Sequence, residues 1–274
     1  MNPLLMAEAI RVTFFARKGL LGSVPVPALD GVSLKVGEGE TVAVVGESGS
    51  GKTTLARVCL RLLSPTSGQV RFGGVDITRL GQAELGWFRR RAQGIFQDPF
   101  SSLDPYMTVF DAVAEPLIVH GERGVKHRAE MVYQALEEVG LAPTAELSRK
   151  YPHQLSGGQR QRAAAARALI LRPELIIADE PVSLLDASSR AEILYLFRKL
   201  QRQRGLAFLY ITHDLSTARH FSDRIAVMRQ GRVVETGPTG EVIAHSSHPY
   251  TRALLQAVPQ PDPANRFRER RVSF

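Results

Sequence analysis

ETVAVVGESGSGKTTLARVCL, residues 40–60, changes its periodicity part-way, and that change sets the fold. Glu40 to Val45 is a short β-branched run of the kind that forms a buried strand. Glycine follows at once. Beyond the loop, Leu55, Val58, Cys59 and Leu62 recur at helical spacing until Ser64 and Pro65 stop the helix. The loop itself, Gly46-Glu-Ser-Gly-Ser-Gly51-Lys52-Thr53, fits G-x-x-x-x-G-K-[ST]. That spacing lets backbone N–H groups, here of Gly46, Ser48, Gly49, Ser50 and Gly51, cradle phosphates, while the lysine reaches the terminal ones and the hydroxyl holds magnesium. Lys52 and Thr53, with Thr54 beside them, are therefore read as nucleotide ligands.

Outward from this unit, LIIA (175–178) and AFLYI (207–211) read as two more buried strands, separated by a helical stretch from about Ser188 to Arg202. Strands alternating with helices predict an α/β domain with a mainly parallel sheet. The block from about Val109 to Tyr151, which includes MVYQALEEVGL, has helical periodicity and few strand signals, so it reads as a helical insertion. From Pro238 onward the chain turns proline-rich and polar around one helical piece, YTRALLQAV, and reads as an extension.

Composition narrows the function classes. The 274 residues, 44% hydrophobic and 23% charged, are globular material for one main domain with an appendage. One cysteine, Cys59, excludes a disulfide within the chain and fits a reducing compartment. No apolar run approaches the ~20 residues that span a bilayer, and MNPLLMAEAIRV lacks a leader pattern, so the chain is expected to be cytosolic and not exported. The formal charge of +8 invites an anionic partner. Arg89, Arg90, Arg91 and the closing NRFRERR nevertheless come without a stripe of base-stacking aromatics; they read as solvated faces, and no nucleic acid is expected.

Further features share the chemistry of the loop. LIIADE ends a strand in Asp179 and Glu180, at the carboxyl end where open α/β sheets bind ligands. Asp179 suits magnesium, directly or through water, and Glu180 suits polarising a water that attacks a γ-phosphate. Gln97 in GIFQDP and His213 in YITHD each follow an apolar run and can point polar tips into the same cleft. LSGGQRQR (155–162) is a second phosphate signal: Gly157 and Gly158 open a helix read as Arg160 to Leu171, and a helix N-terminus favours an anion. Ser156-x-x-Gln159 has capping-box spacing, so the Ser156 hydroxyl either caps this helix or faces a phosphate.

With phosphate loop, Gln97, LSGGQ, Asp179-Glu180 and His213 in that order, the chain resembles the ATP-binding subunit of ABC transporters from about Leu5 to Pro259. The resemblance implies a P-loop NTPase core of the α/β class, a mainly parallel sheet with flanking helices and an antiparallel β part. It places an ATP-binding domain at 1–237, with a helical subdomain at about 105–165, and a C-terminal extension at 238–274. It implies ATP and Mg2+ as ligands, the metal held by Thr53, Gln97 and Asp179, and ATPase activity with Glu180, His213, Gln97 and Lys52 as the catalytic set. It also gives the second phosphate signal a purpose: LSGGQ of one subunit, here Ser156, Gly157, Gly158 and Gln159, covers the ATP held by the phosphate loop of another. By the same resemblance Asp186 belongs to the loop that crosses that interface, and Phe14, with Phe15 competing, is the aromatic that stacks on adenine. The usual DEPTSALD appears as DEPVSLLD, with Val182 and Leu184 in place of threonine and alanine.

Three stretches, FQDPFSSLDPYMTV (96–109), HPYTRALLQAVP (248–259) and RKGLLGSVPVPALDGVS (17–33), are similar to the oligopeptide, dipeptide and nickel importer branch, particularly its second ATPase subunit. The implied partners are a second, different ABC ATPase subunit, two transmembrane permease subunits and an extracytoplasmic solute-binding protein, with the chain at the cytoplasmic face of the cell membrane. The resemblance places the permease-facing surface around Gln97 to Val109 and the helical insertion. Peptides lead as cargo; nickel, oligosaccharides, or an accessory role in a soluble complex such as phosphonate breakdown are the alternatives. With Cys59 alone, no iron–sulfur cluster is expected.

Overall fold

Val42 and Val44 face one hydrophobic core, and Ala43 and Val45 face another. The structure, a computed structural model, describes residues 3–18, 22–97 and 103–257. The strand in question, β3 (Thr41–Val45), follows β1 (Leu5–Lys18) and β2 (Gly22–Val36) and is buried at every position. It lies inside a six-stranded sheet with β6 (Ala92–Ile95), β7 (Leu175–Asp179), β8 (Ala207–Thr212), β9 (Arg224–Arg229) and β10 (Arg232–Pro238), in the order β10-β9-β3-β8-β7-β6. All neighbours are parallel except β10 against β9. Strands covered on both faces need no polar alternation, so TVAVV and AFLYIT are buried throughout.

One face of the sheet is covered by helices. Between β6 and β7 the chain runs through α3 (Val109–Val119), α4 (Val125–Glu138), α5 (Thr144–Leu147) and α6 (Gly157–Leu169); α7 (Ala187–Arg204) and α8 (Leu215–Phe221) flank β8. Ala163, Ala165 and Ala166 of α6 are fully buried, and side chains this small let α6 lie close to its neighbours. Phe197, Phe208, Tyr210 and Phe221 tie α7 and α8 to β8, with ring centroids 5.0–6.2 Å apart. Each such ring contributes about 1.5–3 kcal/mol by leaving water.

The other face carries α1 (Lys52–Cys59) and a four-stranded antiparallel sheet ordered β2-β1-β4-β5, with β4 at Ser67–Phe72 and β5 at Val75–Asp76. A short α2 (Gly86–Arg91) follows, and the last elements among the described residues are α9 (Thr239–Ala244) and α10 (Pro249–Ala257).

Two helix bounds differ from the sequence reading. α1 stops at Cys59, and Leu62 is 60% exposed. Arg61 takes the left-handed conformation at φ +55, with Arg61 N donating to Val58 O and Leu62 N to Arg57 O, the two bonds of a Schellman cap. Arginine replaces the expected glycine because its buried guanidinium donates to Ile77 O at 2.7 Å and Leu80 O at 3.3 Å, which offsets the backbone strain. α6 begins at Gly157, three residues earlier than read, because Ser156 caps it. Of the stretches singled out above, residues 19–21, 98–102 and 258–274, including NRFRERR, lie outside the described residues.

Candidate functional site

The loop after β3 is shaped from beneath. A Cβ on Gly46 would lie 2.2 Å from Met228 O, and one on Gly51 2.5 Å from Ala28 O, so only glycine lets the loop approach β9 and β2 this closely. Ser50 N donates to Glu47 O at 3.2 Å, and Gly231 N donates to Ser50 O at 3.0 Å. These two bonds hold the turn of the loop around Ser50. Gly46 and Ser50 build the underside of the loop.

Above it, Ser48, Gly49, Gly51, Lys52, Thr53, Thr54, Gln97, Glu180 and His213 line one open cleft of about 570 Å3 with Ala28. Residues from four strand ends, distant in sequence, converge here. Lys52 is 5% exposed and donates to Gly46 O at 2.8 Å and Glu47 O at 2.7 Å. Burial pulls its pKa below the usual lysine range, and the carboxylates of Glu180, Asp179 and Glu47 oppose that shift. α1 starts here with no side-chain cap, so its first amides are available to an anion.

Asp179 is 4% exposed at the end of β7, behind Thr53, whose Oγ1 donates to Asp179 Oδ1 at 3.3 Å. Burial raises the Asp179 pKa first, and the neighbouring Glu180 charge adds to it; the Thr53 hydrogen bond, Lys52 and Arg57 act in the opposite direction. Two hard oxygens side by side suit a magnesium ion that keeps water and phosphate oxygens in its remaining positions. Among the described residues no group of three His, Cys, Asp or Glu side chains gathers to hold a metal.

Glu180 stands at φ +50 immediately before Pro181, a left-handed conformation rare for a side-chain-bearing residue. Its N–H extends the sheet to Ile211 O at 2.9 Å, and its carbonyl accepts from Ser183 Oγ at 3.0 Å. Such over-determined strain concentrates at functional sites. The Glu180 Oε1 lies 3.1 Å from His213 Nδ1. His213 is held between the end of β8 and Asp214, which caps α8 through Ser216 N and Thr217 N.

A second group of expected residues gathers elsewhere. Ser156 Oγ accepts from Gln159 N at 3.2 Å while Gln159 Oε1 accepts from Ser156 N at 3.0 Å, a complete capping box. A Cβ on Gly158 would lie 3.2 Å from Ser189 Oγ, which donates to Asp186 Oδ2 at 2.9 Å. The start of α6 and the Asp186 turn are therefore neighbours. Asp186 caps α7 through Ser189 N at 2.9 Å, and its bonds from Ser188 and Ser189 hold its carboxyl well below the usual range. Ser156, Gly157, Gly158, Gln159 and Asp186 do not line the cleft of Lys52. Leu184 is exposed. Phe14 and Phe15 sit on β1 at 46% and 72% exposure, so neither is a core residue. The basic run is partly committed: Arg91 pairs with Glu174 at 2.5 and 2.7 Å and lies 5.1 Å from the centre of the Phe72 ring.

A family model described as ABC transporter matches residues 29–183, which span the phosphate loop, Gln97, LSGGQ and Glu180. The chain belongs to the ABC transporter family. A second model, described as the oligopeptide/dipeptide transporter C-terminal region, matches residues 234–273. A putative oligopeptide transport ATP-binding protein of Bacillus subtilis, YkfD, is 45% identical over 98% of this chain and 80% of its own length. A putative peptide import ATP-binding protein of Brucella ovis is 47% identical over 96% of this chain and 80% of its own. Among solved structures, an ATP-binding cassette in a dimeric post-hydrolysis state bound to ADP and Pi superposes with a TM-score of 0.76 at 32% identity, covering 86% of this chain and 98% of that one. This ABC cassette is thus an ATP-binding chain, with the α/β P-loop fold and both sheet types expected of it. Among its described residues no helix is long and apolar enough to cross a membrane.

One contact lay beyond the sequence reading. Tyr250, in the HPYT stretch read only as a mark of the importer branch, has its hydroxyl 3.1 Å from the Glu47 backbone nitrogen. No local pattern pairs residues 203 positions apart.

Proposed function

We propose that this chain is the ATP-hydrolysing subunit of an importer for di- or oligopeptides, and that it works as one of two ATPase subunits closing around two ATP. The observation that carries the reading is the convergence of Lys52, the Thr53–Asp179 pair and the Glu180–His213 pair on one cleft. Lys52 binds the terminal phosphates, and the loop amides with the start of α1 hold the remainder of the chain of phosphates. Thr53, Asp179 and Gln97 would hold Mg2+, which when bound would supply positive charge to the phosphates. Glu180 accepts the proton of the attacking water, and His213 orients the Glu180 carboxylate through Nδ1. The exposed Phe14 or Phe15 receives the adenine.

The group at the start of α6, with Asp186, faces the ATP of a second, different ATPase subunit. This division explains why it stands apart from the cleft. Residues 1–237 act as the ATP-binding domain, about 105–165 as its helical subdomain and 238–274 as the extension. Two permease subunits dock on the side of the helical subdomain, where Tyr106, Ile118 and Val119 are exposed, and a solute-binding protein delivers cargo from outside. The subunit then sits peripherally at the cytoplasmic face. Peptide as cargo is supported by the match of residues 234–273 and by the names of the relatives.

The test is reconstitution in vesicles with the partner ATPase, the permeases and the binding protein. Hydrolysis stimulated by peptide-loaded binding protein, with peptide accumulating in the lumen, is expected. Hydrolysis indifferent to peptide but stimulated by nickel or an oligosaccharide would reject peptide import while leaving the ATPase assignment standing.

A further inference from the structure

The buried residues of helix α10 are Tyr250 and Thr251, with Leu254 and Leu255 packed against the core. Tyr250, 7% exposed, joins the hydrophobic core on the helical side of the sheet, and its hydroxyl reaches the phosphate loop. There the Glu47 N–H donates to Tyr250 Oη at 3.1 Å. The carbonyl of the same peptide unit, Gly46 O, accepts from Lys52 Nζ at 2.8 Å. A peptide unit is planar, so fixing its N–H side fixes the direction of its carbonyl. One plane is therefore gripped on one edge by a residue of the C-terminal region and on the other by the lysine of the loop.

Tyr250 is itself held. The Arg229 guanidinium lies over its ring at 4.9 Å, and Tyr250 N donates to His248 Nδ1 at 3.1 Å. Ser247 N and His248 N donate to the two carboxylate oxygens of Glu235, at 2.7 and 3.3 Å. Arg229 is on β9 and Glu235 on β10, and Gly231, in the turn between them, supports Ser50 O. The brace and the loop thus share one foundation. Burial, with the Glu47 carboxylate adding to it, raises the Tyr250 pKa above the ordinary range, while the Glu47 backbone bond and Arg229 lower it; the group stays a neutral hydroxyl at working pH.

We propose that Tyr250 is a positioning residue for nucleotide binding, through which the C-terminal region sets the orientation of the Gly46–Glu47 peptide and hence of Lys52. The inference rests on the reading of residues 46–53 as the ATP-binding loop. Because Tyr250 Oη contacts the loop backbone and does not line the cleft, it acts on binding and not on the chemical step, so its loss raises KM and leaves kcat near the parent value.

Tyr250→Phe in the full chain keeps the ring and removes only the hydroxyl. Titration with MgATP and MgADP is expected to give dissociation constants about tenfold higher for both, the consequence of leaving the partly buried Glu47 N–H without its partner in the binding-competent loop. Amide exchange at Glu47 should speed up, and the assembled complex should show the rise in KM at constant kcat. Parent affinity in a folded Tyr250→Phe chain overturns the proposal. If that variant does not fold, Arg229→Met decides: it loosens the ring while keeping the hydroxyl and is expected to weaken MgATP about two- to threefold, whereas unchanged affinity overturns the proposal. A parent chain that fails to bind MgATP would reject the loop assignment instead, so the two failures are distinguishable.

Discussion

Glu180→Gln separates hydrolysis from every other property of the cleft. Glutamine keeps the side-chain length and an oxygen that can accept from His213 Nδ1, 3.1 Å away in the parent. What disappears is the negative charge and the capacity to take a proton. Exchanging a charge-assisted bond for a neutral one costs at most ~1 kcal/mol of stability, and less here because the His213 side chain is 60% exposed. Lys52 loses one of the three carboxylates that support its charge, and the phosphates lose a repulsive neighbour. MgATP affinity should therefore hold or tighten. A missing general base lowers the rate ~100-fold or more, equivalent to ~2.7 kcal/mol of barrier. The assay is single-turnover hydrolysis in the assembled complex, alongside MgATP titration and the mass of the ATPase dimer, which should accumulate in its ATP-bound form. Hydrolysis at the parent rate would mean that Glu180 is not the base and that the geometry has been assigned the wrong chemistry.

Lys52→Ala removes the cation and leaves the Gly46 and Glu47 carbonyls without their donor, so MgATP binding measured by titration should fall to near the detection limit; retained affinity would contradict the loop assignment. Ser156→Arg should leave MgATP binding to the isolated chain almost intact while damaging hydrolysis at the partner's loop, read by mixing parent and variant subunits; loss of binding by the isolated chain would place LSGGQ in its own site. Cys59 is fully buried and its thiol is pushed up to about 12, so iodoacetamide at pH 8 should label the denatured chain and spare the native one. The same shift has a sign for stability. The unfolded thiol ionises from about pH 9 and the folded one does not, so this contribution is intact below pH 9 and falls as pH rises toward 12, observable as a declining unfolding midpoint that Cys59→Ala lacks.

Much of the central sheet was legible because β3, β7 and β8 are buried on both faces, and continuous apolar runs announce that environment without tertiary information. The end of α1 was not. Leu62 keeps the helical phase of Leu55 and Val58, and it is the distant carbonyls of Ile77 and Leu80 that hold Arg61, one residue earlier, in the left-handed conformation. β6, AQGI, is too short and too glycine-interrupted to announce itself, and it is specified by pairing with β7. In the site, Lys52, Thr53, Asp179 and Glu180 follow from motif and strand position. The association of His213 with Glu180 is a matter of neighbouring strand ends, β8 beside β7, which no local pattern encodes. The support of the loop from beneath, Gly231 N donating to Ser50 O, is likewise a contact between distant residues that the loop motif does not carry.

The serine at the head of α6 was open to two readings, and hydrogen-bond valence removes the need to choose between them. A hydroxyl carries two lone pairs and one proton. The amide of Gln159 occupies a single lone pair, so the proton of Ser156 is still to be directed. Capping pins the oxygen and leaves the O–H bond rotating about Cβ–Oγ, a swivel whose hub is fixed by the helix and whose arm is free to follow an approaching oxyanion. Threonine retains that swivel; asparagine or aspartate caps equally well and lacks it. The residue that starts the helix thus keeps a proton free to follow what arrives in front of it, at no loss to the cap.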